Sequence, residues 1–319
     1  MKLGIIGAGA MGTALAQTVS KNTNVLLYAR REEVSKDINE NSLNSQYFPN
    51  ERLNENITAI SDYNQLKDAE IIFLCIPSSA IRQTVTELNE IVTKNCIFVS
   101  TAKGIEKDTN KRMTEIIEEI TKNDAVAFSG PNIAAEMVKL MPASTTIACR
   151  NEESLNKVKN ILQSDTFKVN ANTDVVGTEF CGIIKNVIAI SQGICKGMAI
   201  SNNARFTLFT KSFTETKDII EKMGGNRSTV DDYCGFGDIV TASTLTVSRN
   251  HTLGVLYGQR IAIDEKASGV LFEGKNTAII LKNLLNSLNL QSVTVDFVYD
   301  VIINGKNPKN AFYELWNKL

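Results

Sequence analysis

Short apolar runs punctuate the first half of the chain: Leu3–Ile6, Val25–Tyr28, Ile71–Cys75, Ile97–Val99, Ala125–Phe128 and Thr145–Ala148. Each is bounded by Gly, Pro, Asn or Ser, and runs of this length and boundary read as strands. Between them, Met11–Ser20, Ile81–Val92 and Thr109–Ile120 repeat apolar residues at helical spacing. The alternation predicts βαβ units and a mostly parallel sheet buried on both faces. From about Thr173 the pattern changes. Val175–Ile194, Ala204–Met223, Gly274–Leu288 and Val293–Ile303 carry apolar residues at 3.6-type spacing, and clear strand signals stop. The expectation is an α/β domain over residues 1–176 and an all-helical domain over 177–319. No Pro/Gly/Ser-rich linker separates them, so the boundary is expected inside a continuous segment.

Composition narrows the possibilities. A chain of 319 residues suits two domains, and 43% hydrophobic with 22% charged residues is ordinary for a globular protein. A core of that size needs no disulfide or metal staple. The net charge of −1 leaves no basic excess to hold a polyanion, so no nucleic-acid partner is expected. Six cysteines, none in a C-x-x-C pair and most inside apolar runs, read as reduced core residues. With a single histidine and no clustered thiols, no metal site is expected. That histidine, His251, reads as a surface or loop residue. The first 16 residues superficially resemble a secretory signal, but Gly7, Gly9 and Gly12 interrupt the apolar stretch. No run approaches the ~18–20 apolar residues that span a bilayer, so membrane insertion is not expected and the protein is read as cytoplasmic.

Those glycines carry chemistry. Leu3–Ile6 runs directly into Gly7-Ala8-Gly9-Ala10-Met11-Gly12, followed by the helical pattern from Met11 and the strand Val25–Tyr28. G-x-G-x-x-G in this setting is a dinucleotide-binding turn. Gly7 permits the tight bend, Gly9 lets backbone approach a pyrophosphate, and Gly12 lets helix and strand pack closely. The fold class is therefore α/β, an N-terminal Rossmann-like doubly wound parallel sheet followed by the all-helical domain. An NAD-selective site usually places an acid after the second strand. Here Arg30 and Arg31 follow it, and guanidinium groups pair well with a 2′-phosphate. NADP(H) is favoured and NAD(H) possible; Arg31-Glu32-Glu33 can also simply open a solvated helix.

In the helical half, Lys185 is flanked by aliphatic residues in Cys181-Gly182-Ile183-Ile184-Lys185-Asn186-Val187-Ile188. Desolvation eases proton release from an ammonium group, which suits a proton donor or acceptor near neutral pH. Lys103 follows the Ile97–Val99 strand, at the strand mouth where open α/β sheets bind ligands. Taken singly, each lysine has a plainer reading as a side chain that snorkels or caps an element.

The ordered motifs G-A-G-A-M-G-T-A-L-A, C-I-P-S (75–78), A-K-G-I-E (102–106), S-G-P-N (129–132), I-I-K-N-V-I-A-I (183–190), N-N-A-R (202–205), G-F-G-D (235–238), S-R-N (248–250) and F-E-G (272–274) resemble the NAD(P)-dependent glycerol-3-phosphate dehydrogenases of bacterial type. The resemblance implies hydride transfer between NAD(P)H and dihydroxyacetone phosphate, giving glycerol 3-phosphate for glycerophospholipid synthesis. It implies Lys185 as general acid/base, Asp238 as its orienting partner, and Lys103 as a contact to substrate and cofactor. Ser248, Arg249 and Asn250 become the phosphate cradle, with Arg249 also touching the cofactor. Gly130 and Asn132 line the substrate, Ala134 and Glu273 the cofactor, and Ala10 and Met11 the pyrophosphate turn. A homodimer is implied as well.

Some positions depart from the family pattern. The usual Thr four residues after the aspartate is Ala242, flanked by Thr241 and Ser243, and a one-residue shift on a helix turns a side chain by about 100°. Position 132 is Asn where Ser or Thr is common, and E-M-V-K-L-M-P (136–142) replaces a glycine-containing turn. Asp238, directly after Gly235-Phe236-Gly237, can be a turn or N-cap residue, and Asn202–Arg205 can cap a helix beginning at Ala204. Related reductases of the 3-hydroxyacid dehydrogenase or ketopantoate reductase type join similar domains but act on carboxylates. A non-catalytic NAD(P)-binding sensor is the third reading.

Overall fold

The computed structural model describes residues 2–245, 248–261 and 273–319, the side chain of Glu273 excepted. The chain divides into two compact units, Met1–Glu106 with Lys111–Val175, and Lys107–Asn110 with Val176–Leu319.

The first unit is built on one eight-stranded sheet in the order β3-β2-β1-β4-β5-β6-β7-β8. The strands are β1 (Leu3–Ile6), β2 (Val25–Tyr28), β3 (Ile57–Ile60), β4 (Ile71–Leu74), β5 (Ile97–Ser100), β6 (Ala125–Ser129), β7 (Ala143–Ala148) and β8 (Phe167–Asn172). All neighbours are parallel except β6 and β7, which pair antiparallel. Strands β1, β4, β5 and β6 are buried along their whole length, as expected where helices cover both faces. Period-two alternation splits their side chains between two cores. Leu3, Ile5, Ile71, Phe73 and Val99 join one core with Leu15 of helix α1 (Ala10–Val19) and Val158 of a later helix (Glu152–Leu162). Ile6, Ile72, Leu74 and Phe98 join the other with helices α3 (Ile81–Asn89) and α4 (Met113–Thr121). Helix α2 spans Glu32–Asn41.

Strands β3 and β8 are absent from the sequence reading. Both are edge strands: β8 alternates buried Phe167 and Val169 with exposed Lys168 and Asn170. Polar residues on an outer strand protect its open edge and dilute its hydrophobic signal.

Among its described residues the second unit is helical: Val175–Gly197, Asn202–Lys222, Asp238–Thr244, Arg249–Gly258, Glu273–Ser287, Val293–Ile302 and Pro308–Trp316. Ser201, rather than Asn202, caps the second helix, its hydroxyl accepting from Ala204 N. Helices Val175–Gly197 and Arg249–Gly258 meet backbone to backbone. A Cβ on Gly193 would lie 2.1 Å from His251 O, and one on Gly254 2.2 Å from Ile190 O; Gly197 and Gly258 repeat the arrangement one turn on. Buried Glu215 ties down the N-terminus of Val293–Ile302, accepting from Ser292 Oγ, Val293 N and Thr294 N.

His251 is 1% exposed and faces this packed interior, which corrects the surface assignment. Glycines on both helices remove the side chains that would otherwise hold Arg249–Gly258 away. Burial, then the charges of Lys196 and Arg205, push the His251 pKa down to about 4, so it is neutral at pH 7.

Candidate functional site

The glycine turn sits where strand order reverses, between β1 and β4, the usual ligand position in open α/β sheets. Gly7 has φ +106°, and its N–H donates to Tyr28 O. A Cβ on Gly12 would fall 1.8 Å from Gly7 O, so only glycine lets α1 approach the turn. Gly9 is different: a Cβ there would meet no atom within 4 Å. The space over the turn is therefore open, and no side chain caps the N-terminus of α1. Free N–H groups and the positive end of a helix facing open space fit a pyrophosphate.

A cavity of about 580 Å³ opens from this turn, lined among others by Gly7, Gly9, Tyr28, Arg30, Arg31 and Pro77. Its size suits a nucleotide. Arg30 and Arg31 are exposed at its rim. Arg31 also precedes α2 and lies 3.7 Å from Glu33, so it opens a helix and faces the cavity at once. Two contributors escaped the sequence reading. Tyr63 packs against Tyr28 with ring centroids 4.2 Å apart and the planes tilted by 35°, forming part of the wall. Asn44 Nδ2 donates to Ala8 O and Thr13 Oγ1, bracing the turn from beneath. Neither has a motif; each lies in a polar stretch far along the chain from the turn.

In the same unit, Lys103 follows β5 and its Nζ donates to Gly130 O at 3.1 Å. Gly130 needs its missing side chain, because a Cβ would lie 2.8 Å from Thr145 Cα. Asn132 is already engaged, donating to Ser144 O at 2.9 Å and accepting from Thr145 Oγ1 at 3.3 Å. Its carboxamide braces the Gly130 segment. Ala134 opens a short helix, Ala134–Met137.

In the second unit, Lys185 Nζ donates to Asp238 Oδ1 at 2.7 Å, with side-chain exposures of 14% and 3%. Asp238 follows a single π-type turn, Tyr233–Gly237, and opens the helix Asp238–Thr244. Such turns often mark functional positions in helices. Ala242 is buried, Thr241 Oγ1 donates to Gly237 O, and Ser243 Oγ is buried without a hydrogen-bond partner. Ser248 caps the helix that begins at Arg249, accepting from His251 N. Asn250 joins this helix to its neighbours: Nδ2 donates to Asn186 Oδ1 at 2.9 Å and Oδ1 accepts from Gly274 N at 3.3 Å. Asn186, beside Lys185 and 7% exposed, was not singled out from sequence. An amide set in the aliphatic stretch Ile183–Ile190 was its available signal. Glu273 opens the helix Glu273–Ser287; its side chain lies outside the described residues.

A dinucleotide turn on a doubly wound sheet, with a lysine seated on a buried carboxylate in a helical unit, defines a nicotinamide-dependent oxidoreductase. Comparison with known proteins narrows this class. The model of the NAD-dependent glycerol-3-phosphate dehydrogenase N-terminus matches residues 2–155, and that of its C-terminus residues 174–313. The chain belongs to the NAD-dependent glycerol-3-phosphate dehydrogenase family. It is 36% identical to a glycerol-3-phosphate dehydrogenase [NAD(P)+] of Corynebacterium diphtheriae, covering 96% of this chain and 95% of that one. A Bacillus cereus protein of the same description is 33% identical over 100% of this chain and 96% of its own. The crystal structure of glycerol-3-phosphate dehydrogenase from Coxiella burnetii superposes with a TM-score of 0.91 at 26% identity, covering 99% and 98% of the two chains.

Proposed function

We propose that this chain interconverts dihydroxyacetone phosphate and glycerol 3-phosphate with NAD(P)(H), with NADPH preferred. Reduction supplies glycerophospholipid synthesis, and the enzyme works as a cytoplasmic homodimer. The Lys185–Asp238 pair at 2.7 Å carries the reading, and family membership along both halves supports this substrate over carboxylate-directed alternatives.

The nicotinamide, when bound, supplies hydride to C2 of the ketone or accepts it from the alcohol. Lys185 gives a proton to the C2 oxygen as that oxygen gains charge, and takes it back in the reverse direction. Asp238 keeps the ammonium aimed and stabilises its charged form. Ser248, Arg249 and Asn250 hold the substrate phosphate with a guanidinium and the first turn of a helix. Lys103, Gly130 and Asn132 line the substrate, Asn132 acting through the segment it braces. Gly7, Gly9, Ala10, Met11 and Gly12 would hold the pyrophosphate. Arg30 and Arg31 would hold a 2′-phosphate, with Lys103, Ala134, Arg249 and Glu273 as further cofactor contacts.

Purified protein mixed with dihydroxyacetone phosphate, with nicotinamide absorbance followed under NADPH and NADH in parallel, tests the proposal. Faster oxidation of NADPH is expected. Faster use of NADH would remove the role of the two arginines; no turnover with either would remove the activity.

A further inference from the structure

The loop that presents Lys103 is anchored on both sides of that residue. Before it, Thr101 fastens to β4, its N and Oγ1 both donating to Leu74 O at 3.2 and 3.0 Å. Immediately after it, Gly104 lies against Ser78, where a Cβ would come within 2.5 Å of the hydroxyl. Glu106 then closes the loop. Its N–H donates to Lys111 O, and its carboxylate takes both prongs of Arg82, Nε at 2.7 Å and an NH2 contact at 2.9 Å. The same guanidinium reaches Glu119 on α4 at 3.0 Å, and Lys111 meets that carboxylate at 2.9 Å. These cations hold the Glu119 carboxyl down to about 2, so it stays ionised throughout the neutral range.

Isolated surface ion pairs contribute little, but a two-pronged guanidinium–carboxylate pair within a network is the geometry that does. Here it ties α3 and α4 to a carboxylate three residues from Lys103, whose ammonium is itself seated on Gly130 O. We propose that Arg82 is a positioning residue for the reaction, fixing through Glu106 the loop that sets the Lys103 ammonium. The proposal rests on the reading of Lys103 as a substrate contact. The fork is the element that matters: a lysine at 82 keeps the charge but cannot grip both carboxylate oxygens.

Steady-state reduction of dihydroxyacetone phosphate by the full-length enzyme tests this with Arg82→Met, Arg82→Lys, Glu106→Gln, Lys103→Ala and the double variant R82M/K103A. Displacement of a positioned group by about 1 Å can cost on the order of 100-fold. A rise of about tenfold in the substrate KM or fall in kcat/KM is expected for Arg82→Met, with any change in the NADPH KM no larger than that of Lys103→Ala and a smaller effect for Arg82→Lys. Glu106→Gln, nearly isosteric, should follow Arg82→Met and serves if the latter does not fold. The double variant should be no worse than Lys103→Ala alone. Additive losses in the double variant overturn the proposal. So does normal substrate kinetics in Arg82→Met and Glu106→Gln beside a defective Lys103→Ala. Normal kinetics in Lys103→Ala would instead remove the reading of Lys103 itself, and the inference with it.

Discussion

Asp238 is 3% exposed and lies 2.7 Å from Lys185, so removing the lysine takes a close cation away from a buried carboxyl group. Lys185→Met should lower kcat by about 10²–10⁴-fold, the usual contribution of a proton-transfer group. Asp238→Asn keeps the shape and should cost less in kcat while altering its pH profile; steady-state rates across pH check both. His251 makes a separate, thermodynamic prediction. Its folded pKa of about 4 lies below the unfolded 6.5, so the unfolded chain binds more protons between those values. Stability should therefore fall as pH drops from 6.5 toward 4, by roughly 2 kcal/mol between pH 7 and pH 5. His251→Gln should remove that part of the acid sensitivity, as read by urea unfolding at the two pH values. Lysine among aliphatic residues made Lys185 legible in the sequence, because a charge there demands a reason. His251 was not legible, since its burial depends on glycines sixty residues away on another helix.

The element that gives the helical unit its geometry is the glycine seam between Val175–Gly197 and Arg249–Gly258. One helix carries Lys185 and the other Arg249 and Asn250, so the seam spaces the proposed acid/base from the proposed phosphate cradle. A methyl at Gly193 or Gly254 would meet a carbonyl oxygen near 2 Å, and the helices must part to admit it. Gly193→Ala is expected to cost about 1–3 kcal/mol, as overpacking does, and to raise the KM for dihydroxyacetone phosphate. Denaturant unfolding and kinetics on one sample separate the two effects. At this scale the inner strands and long helices were read to within a few residues, their patterns being continuous. Edge strand β8 was lost because its outward-facing positions are polar, and β3 because it is only four residues long with Thr58 exposed in the middle. The helices at Asp238 and Arg249 were lost because they are short and begin in polar motifs.

For the whole molecule, the cysteines give a direct readout of folding. Cys96, Cys149, Cys181, Cys195 and Cys234 are buried and Cys75 is half-buried on the nucleotide cavity wall. Burial pushes the Cys75, Cys96 and Cys195 thiols up to about 12, which suppresses the reactive thiolate. Thiol titration of the native protein should be slow at all six positions, with Cys75 first and protected by NADPH, and fast and complete in denaturant. Division into a sheet-based and a helical unit could be read from periodicity alone, because burial on two faces and burial on one stripe leave different spacings. The antiparallel β6–β7 pairing could not, as both directions give the same apolar run.

The strand order has a consequence for how the chain comes to be folded. After β1, β2 and β3 extend one side, and β4 through β8 extend the other, each added outside its predecessor. No strand has to insert between two already paired. A chain emerging from the ribosome can lay down the sheet in the order of synthesis, each newly made strand covering an edge that is still open. The helical unit, which carries Lys185 and Asp238, arrives only when that platform is complete.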